Sequence, residues 1–248
     1  MNARVCLLGI ALVLLPGQAL AVTALEQSRR LLILEALLLD LKYNGRPSGD
    51  LALGVDFINQ PEIDYTVGTK REHVNKPPVV PRPRLRFIYN GLLGGVAWVP
   101  PVEINGLAAD VWSAEFGYRM RYPRAGWLGA YLRDVALQFR STLTHGAVRG
   151  RIASDHDEDR IGLHINTFDA LAEYQGFDDW RFYAGYGLGR LSSAIDIGED
   201  GARIEVLDHD FEFLFLGATV VQGDYALTVQ QDWHALLRNV TVTVFRRF

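Results

Sequence analysis

The sequence predicts an all-β chain, an antiparallel up-and-down transmembrane β-barrel of about ten strands, within a range of about eight to twelve. Three observations carry this. Apolar and polar residues alternate with a period of two over long runs. Beyond the N-terminus no apolar stretch reaches the roughly 18 residues that a membrane helix needs. The composition is rich in glycine and aromatic residues, with Gly 24, Tyr 10, Phe 12 and Trp 5, which suits strands that face lipid on one side and a packed lumen on the other.

The clearest alternation runs from Val111 to Tyr122. Trp112, Ala114, Phe116, Tyr118, Met120 and Tyr122 lie on one face, and Ser113, Glu115, Gly117, Arg119 and Arg121 on the other. Successive strand side chains point to opposite faces, so such a strand is apolar on one side and charged on its reverse. A soluble sandwich alternates too, but its strands are typically about 5–6 residues, whereas a spanning strand needs about 9–11. The same reading assigns strands to 33–44, 50–59, 84–98, 107–122, 133–145, 162–175, 179–195, 203–221, 224–235 and 238–248. The first two read as a hairpin around 44–49, in competition with a helix over Ala24–Leu41, whose Leu, Ala, Glu and Arg are good helix formers. The connection 60–83 holds Pro61, Pro77, Pro78, Pro81 and Pro83, which excludes a central strand. Residues 22–83 thus form part of the barrel, or an N-terminal hairpin and proline-rich segment ahead of an eight-strand barrel starting near Arg84.

The first 21 residues have the layout of a secretory leader: Arg4, an apolar run from Val5 to Leu15, and Ala19-Leu20-Ala21 as a small-residue cleavage site. Cleavage is expected after Ala21, leaving 22–248 as the barrel. The run is too short for about 30 Å of hydrocarbon. The single cysteine, Cys6, lies inside this leader without the small-residue cleavage point of a lipoprotein. Disulfides and thiolate metal sites are therefore excluded from the rest. The net charge is -4, and no basic block of the kind that binds nucleic acid is present.

With Phe248 on the periplasmic side, the turns at Gly176–Asp179 and Gly223-Asp224 are periplasmic and short, while 146–161 and 196–203 are longer and external. That is the usual asymmetry of such barrels.

Two segments carry a family resemblance. Trp180-Arg-Phe-Tyr-Ala-Gly-Tyr-Gly-Leu-Gly189 is similar to the aromatic and Gly-x-Gly-x-Gly strand of the small bacterial outer-membrane barrels, the opacity-protein and autotransporter-like group. The terminal strand, with Val240, Val242, Val244 and Phe248, resembles the assembly signal that such barrels present to their insertion machinery. Arg246 departs from the apolar residue more usual there. The resemblance implies an outer-membrane location, contact with outer-membrane lipid and lipopolysaccharide, and recognition by the barrel-insertion machinery. It implies no activity and leaves the oligomeric state open.

The expected inward face collects Glu115, Asp169, Glu173 and Glu212 against Arg119, Arg121, Arg140 and Arg181. In a narrow lumen these read as ion pairs that fill the barrel; a charged lining of a narrow transport channel is the alternative. Two acidic clusters with histidine, 155–159 and Asp208-His209-Asp210, offer cation or acid–base chemistry, against a plain solvated acidic loop. His234 lacks the serine two residues on that barrel lipid deacylases carry, Leu236 standing there. No catalytic residue, metal site or cofactor is assigned. Trp180 and Trp233 read as interfacial aromatics. The functional expectation is a structural or surface-interaction barrel, with a barrel enzyme acting on lipid or protein at the outer face as the alternative.

Overall fold

The computed structural model describes residues 51–59, 63–67, 70–74, 79–104, 107–121, 134–150, 158–175, 179–197, 202–234 and 238–248. Among these described residues twelve strands are formed: β1 Leu51–Asn59, β2 Ile63–Val67, β3 Lys70–Val74, β4 Val79–Tyr89, β5 Leu92–Ile104, β6 Leu107–Arg121, β7 Val135–Gly150, β8 Asp159–Tyr174, β9 Trp180–Ile197, β10 Ala202–Gln222, β11 Tyr225–His234 and β12 Arg238–Arg247. β2 and β3 make a separate two-stranded hairpin; the other ten close into one barrel in the order β1-β12-β11-β10-β9-β8-β7-β6-β5-β4. Every neighbouring pair is antiparallel, and β1 pairs β12 from Ala52↔Arg247 to Ile58↔Thr241. This is the expected up-and-down barrel, closed between β1 and β12.

The strand membership differs from expectation at the run 84–98, at the prolines of 79–83, and in the β2–β3 hairpin that stands within the expected connection 60–83. The run 84–98 is two strands, β4 and β5, joined by Asn90-Gly91, both with positive φ (48° and 85°). That is the type I′ turn which Asn-Gly favours, because its twist matches the flanking strands. The second correction concerns the prolines. Residues 79–83 belong to β4 despite Pro81 and Pro83. Over this stretch β4 pairs only with β1, and its pairing with β5 begins at Arg84↔Ala97. With one side of the strand unpaired, a missing N–H removes no ladder bond, as at a sheet edge. The expected strand 33–44, the turn at 44–49, the competing helix and the leader lie outside the described residues. The barrel closes without the 33–44 strand, and β1 places its start well before Arg84.

Alternation sets which side chains point inward. In β7, Ala136, Gln138, Arg140, Thr142 and Thr144 are buried, while Phe139 and Ser141 between them are exposed. The end of the barrel bearing Leu51 and Phe248 carries the turns at 90–91 and 223–224 and the connections 122–134 and 175–179; the opposite end carries the β2–β3 hairpin. The connection 122–134 is longer than the short turns expected at that end.

On the β9–β10 side the lumen is filled by a ladder of phenylalanines over glycines. Phe211, Phe213 and Phe215 lie opposite Gly189, Gly187 and Gly185. A Cβ built on those glycines would fall 2.3, 2.2 and 2.3 Å from the Cζ of the facing ring. The glycines are therefore required by close approach: each gives up its side-chain volume to the phenyl ring across the ladder, an aromatic cover over a bare backbone. Tyr183 and Gly217 repeat the arrangement with strands exchanged. These rings join Leu163, Ile165, Leu171 and Leu191 in one apolar cluster.

Replacing Gly187 by Ala is expected to destabilise the barrel by about 1–3 kcal/mol through overpacking, read as a lower denaturation midpoint. Gly162→Ala, whose nearest neighbour would be 4.0 Å away, serves as the neutral control. Adding Phe213→Leu to Gly187→Ala should recover part of the loss; equal losses at both glycines would refute the ladder.

Candidate functional site

The charged lumen is built from strands whose inward positions fall in register. Asp56 on β1 sits fully buried at the closing seam. Its Oδ2 is 2.9 Å from Arg84 Nη2 and 3.5 Å from Arg82 Nη2, both on β4. Thr243 on β12 donates its hydroxyl to Asp56 Oδ1 at 2.8 Å. The network continues on the β6 side. Arg86 donates Nε to Glu115, whose other oxygen is 4.0 Å from Arg140 Nη1. Arg140 donates Nε to Asp169 Oδ1 at 2.8 Å, and its guanidinium lies 5.7 Å from the Phe215 ring centroid. Below it, Arg119 Nη2 is 3.4 Å from Glu173 Oε1, while Gln138 donates to Glu173 Oε2 at 3.0 Å. A second polar group bridges β9 and β11: Tyr183 donates to Gln230, and Gln230 to Asp232, each at 2.8 Å.

These groups are almost completely withdrawn from water. Arg82, Arg86, Arg140, Asp56, Asp169 and Glu173 are each at most 2% exposed. Burying an ion costs several kcal/mol even after relaxation, and only good pairing geometry offsets it. Asp56, Glu115, Asp169 and Glu173 are each met by arginine, a cation that stays protonated in proteins. Such carboxylates are engaged as acceptors and offer no proton-transfer role. The arrangement can fill, stiffen and electrically neutralise the lumen.

Of the residues expected there, Glu115, Arg119, Arg140, Asp169 and Glu173 are brought together. Arg121 and Arg181 lie on the inward face but join no ion pair among the described residues; Arg121 is exposed and Arg181 is near the start of β9. Glu212 is a correction: it points outward. Phe211, Phe213 and Phe215 take the inward positions of β10 because the bare glycines of β9 leave room only for rings there. Sequence reasoning missed Asp56, Arg82, Arg84 and Arg86. The signal was present as three arginines at i, i+2 and i+4 in Arg82-Pro-Arg-Leu-Arg86, a single strand face, masked by the prolines between them.

The other candidates separate as well. Asp208 and Asp210 are exposed on the outer wall while His209, between them on β10, turns to the opposite face. The triplet therefore forms no acid–base cluster. Residues 155–157 lie outside the described residues. His234 turns inward, its ring 5.8 Å from Phe211 and 5.7 Å from Phe213. It is not a membrane-face histidine. Among the described residues no group of three or more His, Cys, Asp or Glu side chains could hold a metal ion. In the terminal strand, Val240 and Val244 are exposed outward and Thr241, Thr243 and Phe245 are buried. Phe248 donates its N–H to the Leu51 carbonyl at 3.1 Å.

The outward face is the complement of this lumen. Phe116 is 63% exposed, and Phe87, Val96, Tyr118, Phe168, Phe182, Leu188, Leu214, Leu227 and Val229 are likewise exposed around the wall. Trp98 and Trp112 face each other across β5 and β6, and Trp180 stands exposed at the start of β9.

No family model and no curated protein matches the chain. Solved structures similar to it are outer-membrane barrels. The Ail outer-membrane protein of Yersinia pestis in a phospholipid nanodisc aligns at 7% identity and TM-score 0.37, over 81% of this chain and 100% of that one. The translocator domain of the autotransporter NalP from Neisseria meningitidis aligns at 12% identity and TM-score 0.42, over 91% and 96%. The Pseudomonas putida toluene transporter TodX aligns at 11% identity and TM-score 0.33, over 82% and 69%. Likeness at this level assigns no role.

Replacing Arg140 by Leu removes the guanidinium bonded to Asp169 and is expected to cost about 3–5 kcal/mol. The double replacement Arg140→Leu with Asp169→Leu should be less destabilising than Arg140→Leu alone, measured by chemical denaturation of the refolded barrel. A purely additive cycle would contradict direct pairing.

Proposed function

We propose that this chain is an integral barrel of the bacterial outer membrane, freed of a leader at Ala21, whose filled lumen makes it a scaffold for surface interaction and not a conduit. The single observation that carries the reading is the inversion of polarity across the wall. Large apolar side chains stand exposed on the outside of a closed sheet while ionised side chains are buried within it. In water that distribution is unfavourable on both faces; in a bilayer both are satisfied. A soluble monomer rarely exposes so extensive an apolar surface.

The ends of the barrel favour one orientation. Phe248 and the turns at 90–91 and 223–224 face the periplasm, and the β2–β3 hairpin with the connections 151–158 and 198–201 faces outward. In this orientation Val240, Val242 and Val244 contact lipid in the closing strand, and Phe248 marks the periplasmic interface for the insertion machinery. Outer-membrane lipid and lipopolysaccharide surround the wall. The paired lumen argues against a selectivity-lined channel, because every buried carboxylate in the arginine network already has its counter-ion inside the protein.

Fractionated cells should hold the protein in the outer membrane without residues 1–21, and purified protein in planar bilayers should give no large, steady conductance. Recovery from the periplasm without detergent would overturn the membrane reading. Stable channels passing sugar-sized solutes would overturn the filled lumen.

A further inference from the structure

β5 to β10 extend as one raised sheet past the end of β11. Ile104 pairs Leu107, Leu107 pairs Gly150, Gly150 pairs Asp159, and β9 and β10 stay paired up to Ile197 and Ala202. β11 stops at His234, opposite Phe213. Among the described residues β10 therefore has a strand neighbour on one side only from Ala202 to Glu212. Val221 sends its N–H to the β9 side, to the Asp179 carbonyl at 2.9 Å. Alternate residues of a strand turn their N–H and C=O to opposite neighbours. Val206, Asp208 and Asp210 thus present theirs to the open side. Unpaired backbone does not lie in hydrocarbon, which puts this stretch in water.

The two margins of the raised sheet differ. β5 leaves β4 after Ala97 and then carries Pro100-Pro101 in a bulge, where its register shifts between Val99 and Val102. Missing donors and bulges close an edge to further strands. β10 has no proline from 202 to 212, and its register against β9 is unbroken from Glu205 to Val220. Its outward side chains at this edge include Asp208, Asp210 and Glu212, all exposed, while His209 and Phe211 between them turn inward. Tyr186 donates its hydroxyl to Glu212. Arg190 is 3.9 Å from Asp210 and 4.0 Å from Asp208, the limit of an ion pair. Arg238 stands two strands away at the start of β12. One guanidinium against three carboxylates leaves the edge negative.

We infer that the free edge of β10 takes up one extended basic segment of a partner protein, added as an antiparallel strand on the line of β11. Lysines or arginines at alternate positions lie opposite Asp208, Asp210 and Glu212, and apolar residues between them turn to the side of Phe211. Main-chain bonds supply the attachment, and the alternating charges supply the selection. Residues opposite Asp208 and Asp210 exchange both N–H···O bonds with them, so the engaged amides are those of the basic residues. The inference rests on the surface-interaction reading proposed above and names the chemistry of the partner.

The test uses the chain beginning at Val22, refolded in zwitterionic detergent. A labelled, end-blocked peptide of alternating lysine and valine is titrated, with binding read by fluorescence anisotropy. It should bind saturably, and a peptide of alternating glutamate and valine should not. Asp208→Asn combined with Asp210→Asn should weaken binding about tenfold, the effect of two cross-strand charge pairs. Val206→Pro keeps every charge and removes an edge donor that β9 does not use. It should weaken binding about tenfold or more, as should N-methylation of the peptide's lysine amides. Amide hydrogen exchange at Asp208 and Asp210 should slow in the complex. A preserved heat-dependent gel shift shows that the variants remain folded, and the methylated peptide tests pairing on the unaltered chain. Absence of binding would overturn the proposal. So would binding indifferent to both Val206→Pro and N-methylation, which marks attraction of unlike charges without strand pairing. Failure of the chain to float with vesicles would remove the membrane reading, while the anisotropy result still decides the edge.

Discussion

A strand in hydrocarbon cannot leave its backbone N–H and C=O groups unpaired, and in this chain that requirement is met at the seam where Ala52–Ile58 runs against Thr241–Arg247. Everything else in the barrel depends on that seam. It fixes the register of the first and last strands, and a shift of one residue would turn every inward side chain of β1 to lipid. The buried pair across it helps to hold the register: Thr243 reaches Asp56, and Asp56 in turn gathers Arg82 and Arg84 from the next strand. Gly54 facing Phe245 adds the same glycine-under-ring device that recurs on β9 and β10. The closing seam thus combines polar and steric register marks within a few residues.

Closure then forces the chain to fill a confined interior, and it does so in two chemically distinct halves. The β4–β8 side brings long arginines and acids inward, where each charge is tolerable only because an opposite one lies beside it. The β9–β10 side carries glycines beneath phenyl rings, where fit replaces charge. Arg140 joins the halves, bonded to Asp169 on one side and lying over the Phe215 ring on the other. Such a lumen is held by mutual compensation, since removing a member leaves either an uncompensated charge or a void.

Much of this was legible in the sequence because the side-chain period of a strand is two. The alternation located β6 through β12 closely and identified the lumen members Glu115, Arg119, Arg140, Asp169 and Glu173. Where the reading departed from the structure, the reason is physical. Asn90-Gly91 is a strong turn signal, but apolar residues continue on both sides of it, so the run read as one strand. Pro81 and Pro83 argued against a strand, because sequence cannot tell that β4 has a neighbour on only one side there. Glu212 was expected inward because alternation gives two faces without saying which meets lipid. In β10 the choice belongs to the glycines of the adjacent strand, through a pairing invisible in β10 itself.

The most direct test of the account asks which face of a strand touches lipid. Cys6 lies in the expected leader, so single cysteines can be introduced from 112 to 120 on β6 of a chain beginning at Val22, spin-labelled in bilayers, and probed by collision with oxygen and with a water-soluble nickel complex. The account predicts that oxygen accessibility alternates with a period of two, high at Trp112, Ala114, Phe116, Tyr118 and Met120 and low at Ser113, Glu115, Gly117 and Arg119. The opposite phase, or uniform exposure to the nickel complex along the strand, would contradict it.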